Sequence, residues 1–242
     1  MHRYLLPILA SLLILPMHTQ AQQSVPYAQA KGIFKADGQD YCFDGTYHAK
    51  KNDPWLALVE LADHWELQVA KVVKGRVKAQ GEGAHYFIKR LGQPFVPGPV
   101  TGAQLTTLPV KNGLYSHARF TLNGKVWSWQ EWGAEEEEQI LSDGATKWVV
   151  RGPNFGTQML PTTAGKAMPG KIARSKEEAR DDYGVGQHTL LWAGDLNGDQ
   201  LPELITYWAI KEAWGLRLWS GQRGKDGVVR FKLVAHEHDG CS

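Results

Sequence analysis

The chain has 242 residues, 43% hydrophobic and 21% charged, with 27 lysines and arginines set against 25 aspartates and glutamates. That size and balance fit one large globular β domain or two small ones with a proper core. A formal net charge of only +2 argues against a dedicated nucleic-acid binder, which needs a strongly basic surface.

Residues 1–21 read as an export leader: a positive start at Met1-His2-Arg3, an apolar run from Leu5 to Met17, and small residues ending at Ala21. The run is too short and proline-interrupted to span a bilayer, which takes about 20 apolar residues. The alternative is a retained N-terminal anchor. No cysteine follows the run to carry a lipid, and no other segment is apolar enough to cross. The expected location is therefore periplasmic or secreted, with the mature chain beginning near Gln22. Cys42 and Cys241 are the only cysteines. An even count in an exported chain predicts a disulfide between them, against the alternative of two free thiols. No CxxC supports a redox role.

Asp40 to Tyr47 is a short strand candidate. Residues 53–74 admit two readings. Asp53-Pro54 could open a helix, but Trp55–Leu61 and Trp65–Val73 flank a turn at Ala62-Asp63-His64, Trp65, Leu67 and Val69 alternate with polar neighbours and β-branched valines accumulate, so a hairpin is predicted. Lys71, Lys74, Arg76 and Lys78 form a basic cluster, read as a solvated edge or, more sharply, as an anionic-partner site. Residues 92–113, with four prolines, are predicted to be a long loop or an inter-subdomain connection.

From residue 114 the pattern sharpens. Asn123-Gly124 between alternating runs predicts a hairpin, and Asp143-Gly144 a second tight turn, giving an antiparallel meander over 115–151. Glu135–Glu138 reads as a solvated charge run. In residues 152–186 only Ser175–Asp182 looks helical. The chain thus divides into 22–113, a β-rich part, and 114–242, a meander with a terminal loop motif; the two could also form one compact domain.

Leu190 to Trp208 carries the most specific signal. Two apolar runs flank Asp195-Leu196-Asn197-Gly198-Asp199-Gln200-Leu201-Pro202-Glu203. Side-chain oxygens fall on Asp195, Asn197, Asp199 and Glu203, and the Leu201 carbonyl could add another. Carboxylates so crowded repel unless a hard cation lies between them, and Ca²⁺ accepts six to eight such oxygens. The loop lacks the glycine and twelfth-position glutamate of an EF-hand, and its flanks read as strands. The alternative is a metal-free turn whose Asp and Asn side chains cap their own backbone.

The segment resembles the calcium loop of FG-GAP or VCBS-type repeats, D-x-[DN]-G-D-G-x-x-D before a hydrophobic strand, with Gln200 in place of the second glycine and Glu203 in place of the last aspartate. A single copy does not support a propeller. The likeness is nearer to bacterial exported proteins of unknown function that carry one such loop near the C-terminus. It covers roughly residues 120–242 and is strong at 190–208.

Trp214–Ser220 and Val228–His236 are further strand candidates, joined by a turn at 221–227. His236 and His238 are too few for a structural zinc site. No GxSxG, HExxH or phosphate-loop spacing occurs. The ten tryptophans are read chiefly as core; Trp127 and Trp129, which share a face, and nearby Trp132 form the alternative platform for a sugar or protein. The expectation is a mainly β, antiparallel exported protein with little helix, stabilised by Ca²⁺ and binding an unknown protein or glycan. The alternative is a hydrolase with dispersed catalytic residues.

Overall fold

The computed structural model describes residues 32–36, 52–74, 76–90, 92–110, 114–132, 138–151, 158–162, 187–210, 213–236 and 239–240. The leader, the Asp40–Tyr47 strand, Cys42, Cys241, Glu135–Glu137, the Ser175–Asp182 helix and His238 lie outside them. Among the described residues every regular element is a strand, and no helix is long and apolar enough to cross a membrane.

The first part supplies β1 (Ile33–Lys35), β2 (Trp55–Glu60), β3 (Trp65–Val69), β4 (Lys71–Val73), β5 (Arg76–Lys78), β6 (Ala84–Lys89), β7 (Gly98–Gly102) and β8 (Thr106–Thr107). The meander is β9 (Leu114–Leu122), β10 (Lys125–Trp132), β11 (Glu138–Ser142) and β12 (Lys147–Arg151), followed by β13 (Gln158–Thr162). The terminal part is β14 (Gln187–Asp195), β15 (Glu203–Ile210), β16 (Ala213–Arg223), β17 (Val229–His236) and β18 (Asp239–Gly240). Sixteen strands join in one antiparallel sheet, ordered β1-β6-β2-β3-β7-β14-β15-β16-β17-β13-β12-β11-β10-β9-β8, with β18 beside β16. Strands β4 and β5 make a separate two-stranded sheet.

The long sheet folds back on itself. Its middle, β14 to β17, is buried on both faces. One face sends Leu190, Ala193, Leu204, Trp219, Phe231 and Leu233 against Phe120, Trp127, Trp129, Leu141 and Trp148 of the meander. The other sends Trp192, Ile205, Leu216, Leu218 and Val234 against Ile33, Leu56, Leu58, Leu67 and Ile88. This is why LLWA and LITYW read as unbroken apolar runs: a strand covered on both sides has no polar face to alternate. A register shift between Leu190 and Trp192 sends residues two apart to opposite faces, breaking the usual alternation as a bulge does; a second shift falls between Leu218 and Trp219.

The first hairpin forms, with Glu60 opposite Trp65 and Leu56 opposite Val69, but its second arm ends at Val69: Lys71–Val73, expected to continue it, turn away and pair with β5. Residues 92–113 depart from the predicted loop. They contain β7, which pairs with β3 through Pro99 opposite Glu66 and with β14 through Gly102 opposite Gly194. Glycine here serves close approach. A Cβ at Gly102 would sit 2.2 Å from the Trp65 ring, and one at Gly194 would sit 2.4 Å from the Thr101 carbonyl.

The meander turns as its sequence dictates. Asn123 and Gly124 take φ of 51° and 75°, the pair of positive values that suits the twist of a two-residue hairpin. Trp127 and Trp129 are 2% and 0% exposed, and the surface face of the strand carries Val126. They fill the core and form no exposed platform; of Trp132 only the backbone, in β10, is described. Trp55, Trp148, Trp192 and Trp219 are buried too. The indole N–H groups of Trp127, Trp129 and Trp192 find no acceptor among the described residues. An unmet buried donor costs about 1–3 kcal/mol. Removing roughly 200 Å² of indole from water, at about 25 cal/mol per Å², contributes about 5 kcal/mol. Burial wins.

Candidate functional site

The loop between β14 and β15 lies at one end of the doubly covered layer, and strand geometry sorts its side chains by depth. Asp195 ends β14 and is 7% exposed; Glu203 begins β15 and is fully buried; Asn197 is half-buried and Asp199 exposed. Gly198 and Gln200 both adopt left-handed backbone, at φ 76° and 68°. For glutamine that conformation is strained, because its Cβ crowds the backbone where glycine would not.

The acidic groups are occupied by donors. Asp195 Oδ1 accepts the Gly198 amide at 2.7 Å and the Asn197 amide at 3.3 Å, and its Oδ2 accepts the Gln200 amide at 2.9 Å. Asn197 Oδ1 accepts the Asp199 amide at 2.9 Å, and Asp199 Oδ1 the Leu201 amide at 2.8 Å. Glu203 Oε2 accepts the Leu196 amide at 2.7 Å, and Oε1 accepts Ser220 Oγ–H at 2.8 Å. Asn197 Nδ2 bridges the set, donating to Glu203 Oε1 at 3.1 Å and Asp199 Oδ2 at 3.2 Å. Amides pinned this way make the tight turn that Asx side chains favour.

Two groups reach the loop from afar. Ser220 stands opposite Glu203 on β16. Asn123, at the β9–β10 turn, donates to Asp195 Oδ2 at 3.3 Å and so ties the meander to the loop. Neither was among the residues the sequence singled out for this site, since no local spacing links positions 72 or 17 residues apart.

Electrostatics set Glu203 apart. Burial pushes its carboxyl well above the ordinary glutamate range, and the neighbouring Asp199 and Asp195 charges push it further; the Leu196 amide and Ser220 hydroxyl pull it partly back. Asp199 is raised as well, by desolvation first and then by Asp195. No lysine, arginine or histidine among the described residues forms an ion pair with Glu203. The donor set of three carboxylates and an amide oxygen has the hard-oxygen chemistry of a Ca²⁺ site. In the conformation described, these oxygens point at amides: among the described residues no group of three or more His, Cys, Asp or Glu stands where it could hold a metal ion. Leu201 is half-buried beside them.

Elsewhere, His236 is buried in β17. The fold and the loop define an all-antiparallel β protein with an acidic turn at one end of its central layer. No protein-family model, no curated protein and no solved structure matches the chain.

Proposed function

We propose that this is an exported, non-catalytic binding protein whose 195–203 loop takes up one Ca²⁺ through Asp195, Asn197, Asp199, Glu203 and the Leu201 carbonyl. The observation that supports the reading is Glu203, a carboxylate wholly out of water, faced by two further carboxylates and paired with no cation among the described residues. A divalent ion supplies the missing charge. Taking it up requires Asn197 and Asp199 to exchange amide hydrogen bonds for metal contacts, a local change in an exposed stretch of loop. The likeness to FG-GAP and VCBS-type loops points the same way, as does the leader, which would deliver the chain to a calcium-bearing, oxidising compartment where Cys42 and Cys241 pair. The partner is a protein or a glycan, met outside the cytoplasm.

Melting curves in chelator and in several millimolar calcium test the loop. Exported calcium modules bind with dissociation constants of roughly 0.1–1 mM, so the melting temperature should rise with calcium in that range. Asp199→Ala should abolish the rise at small cost to the apo protein, because among the described residues Asp199 accepts from only the Leu201 amide and Asn197. Identical curves with and without calcium would remove the metal from the proposal. Turnover of ester, peptide, glycan or peptidoglycan substrates by the purified protein would remove the non-catalytic assignment.

A further inference from the structure

The β4–β5 hairpin lies outside the long sheet. Its Val72 and Val77 face inward onto the cluster of Trp55, Ala57, Val59 and Phe87. Alternation along a strand then fixes the opposite face. Lys71 stands directly across from Lys78, and Val73 from Arg76. Lys74 occupies the turn with φ 52°. All four cations are exposed, and none forms an ion pair with another described residue. Val73, 44% exposed, lies among them.

We propose that this face docks onto an anionic phospholipid bilayer. Like charges directly opposite each other on a hairpin oppose its formation, so the fold gains nothing from pairing Lys71 with Lys78. A solvated edge that discourages sheet pairing needs charge, but it gives no place to an exposed valine between the cations. Cations set around a short apolar side chain match a headgroup layer: Lys and Arg meet phosphates while Val73 reaches toward the acyl boundary. A soluble polyanion rewards only the charge, and the described side chains of this face include no aromatic ring on which a sugar or base would stack. The charge is local: the chain has 27 basic and 25 acidic residues, yet 71–78 contains four cations and no acid. This inference does not depend on the calcium loop.

Each cation near an anionic surface contributes roughly a fivefold gain in partitioning at moderate ionic strength. The test is co-sedimentation of the purified protein with vesicles of phosphatidylcholine alone or mixed with phosphatidylglycerol. Binding to the mixed vesicles only, weakened by added salt, is expected. Replacing all four cations (Lys71→Gln, Lys74→Gln, Arg76→Gln, Lys78→Gln) should lower it at least about tenfold. A second variant, Val73→Thr, keeps the charge and should lower vesicle binding about twofold or more while leaving elution from a heparin column unchanged. Circular dichroism and melting curves confirm that each variant folds. Failure of the protein to bind the mixed vesicles overturns the proposal, as does equal binding by a folded four-cation variant. Should only the valine variant fold, its undiminished vesicle binding overturns it equally and assigns the face to a soluble polyanion.

Discussion

The acidic turn and the basic hairpin both crowd like charges into a few residues, and they hold them in opposite ways. In the turn the carboxylates are drawn into the protein, where backbone amides, Ser220 and Asn197 occupy their oxygens. In the hairpin the cations stand in water with no described partner, and only the valines behind them are packed. A buried charge is costly unless it is paired or hydrogen-bonded, so the turn must be specified donor by donor. An exposed charge is screened within about 10 Å at ordinary ionic strength, so the hairpin tolerates repulsion that the turn could not. The turn is thus tuned to its own fold, and the hairpin's face is free for something else.

The largest expected effect lies at Glu203. Glu203→Ala strands the Leu196 amide and Ser220 hydroxyl in a buried site and opens a small cavity, and should cost about 2–4 kcal/mol in chemical denaturation. Glu203→Gln keeps shape and one acceptor while removing a desolvated charge, and in chelator should cost under about 1 kcal/mol. A large loss for the isostere would mean that the charge itself stabilises the turn.

The same residue fixes the sign of a pH dependence. A carboxyl whose folded pKa lies above its unfolded value, near 4.5 here, makes the folded state the stronger proton binder. Its stabilisation is full below that value and is lost as pH rises through the folded pKa. Calcium-free protein should therefore melt at lower temperature as pH is raised upward from 4.5, and Glu203→Gln should flatten the slope. Asp226 does not confuse the window: its pairing with Arg230 holds it down to about 2, so what it contributes is lost only in strong acid. A slope unchanged in Glu203→Gln would assign the effect to another group.

A smaller effect tests the tie between turn and meander. Asn123→Gly accepts the positive φ and loses only the hydrogen bond to Asp195, so the expected cost is about 0.5–1 kcal/mol. In a double-mutant cycle with Asp195→Asn, that cost should shrink.

How far the sequence disclosed all this depended on the range of the cause. The 55–69 hairpin and the Asn123-Gly124 turn follow from alternation and from residues that accept positive φ, and both are local. The Asp195–Glu203 spacing likewise marked the acidic turn, though not its depth; Glu203 is buried because β15 is covered on both faces, which no nine-residue window reveals. Strand β7 was hidden because Pro97, Pro99 and its glycines look like loop punctuation. Gly102 is there to let the backbone pass the Trp65 ring, a contact 37 positions away in the chain. For Trp127 and Trp129, alternation established a shared face but not what covers it.

The smallest effect bears on the hairpin. If the Lys71–Lys78 pair is maintained against the interest of the fold, then turning one member to the opposite sign should stabilise the protein. Lys78→Glu places a carboxylate directly across from Lys71. Cross-strand pairs of opposite charge contribute about 0.2–1 kcal/mol and like pairs oppose pairing. Solvent exposure on both sides argues for the low end, so a gain of a few tenths of a kcal/mol is expected. Val77 remains the inward anchor and is untouched by the exchange. Salt sharpens the reading: the gain should shrink toward zero at high ionic strength, where screening removes repulsion and attraction alike. Loss of stability at low salt would mean that Lys78 makes a favourable contact where it stands, and the contrast between a turn that uses its charges and a hairpin that merely carries them would fail.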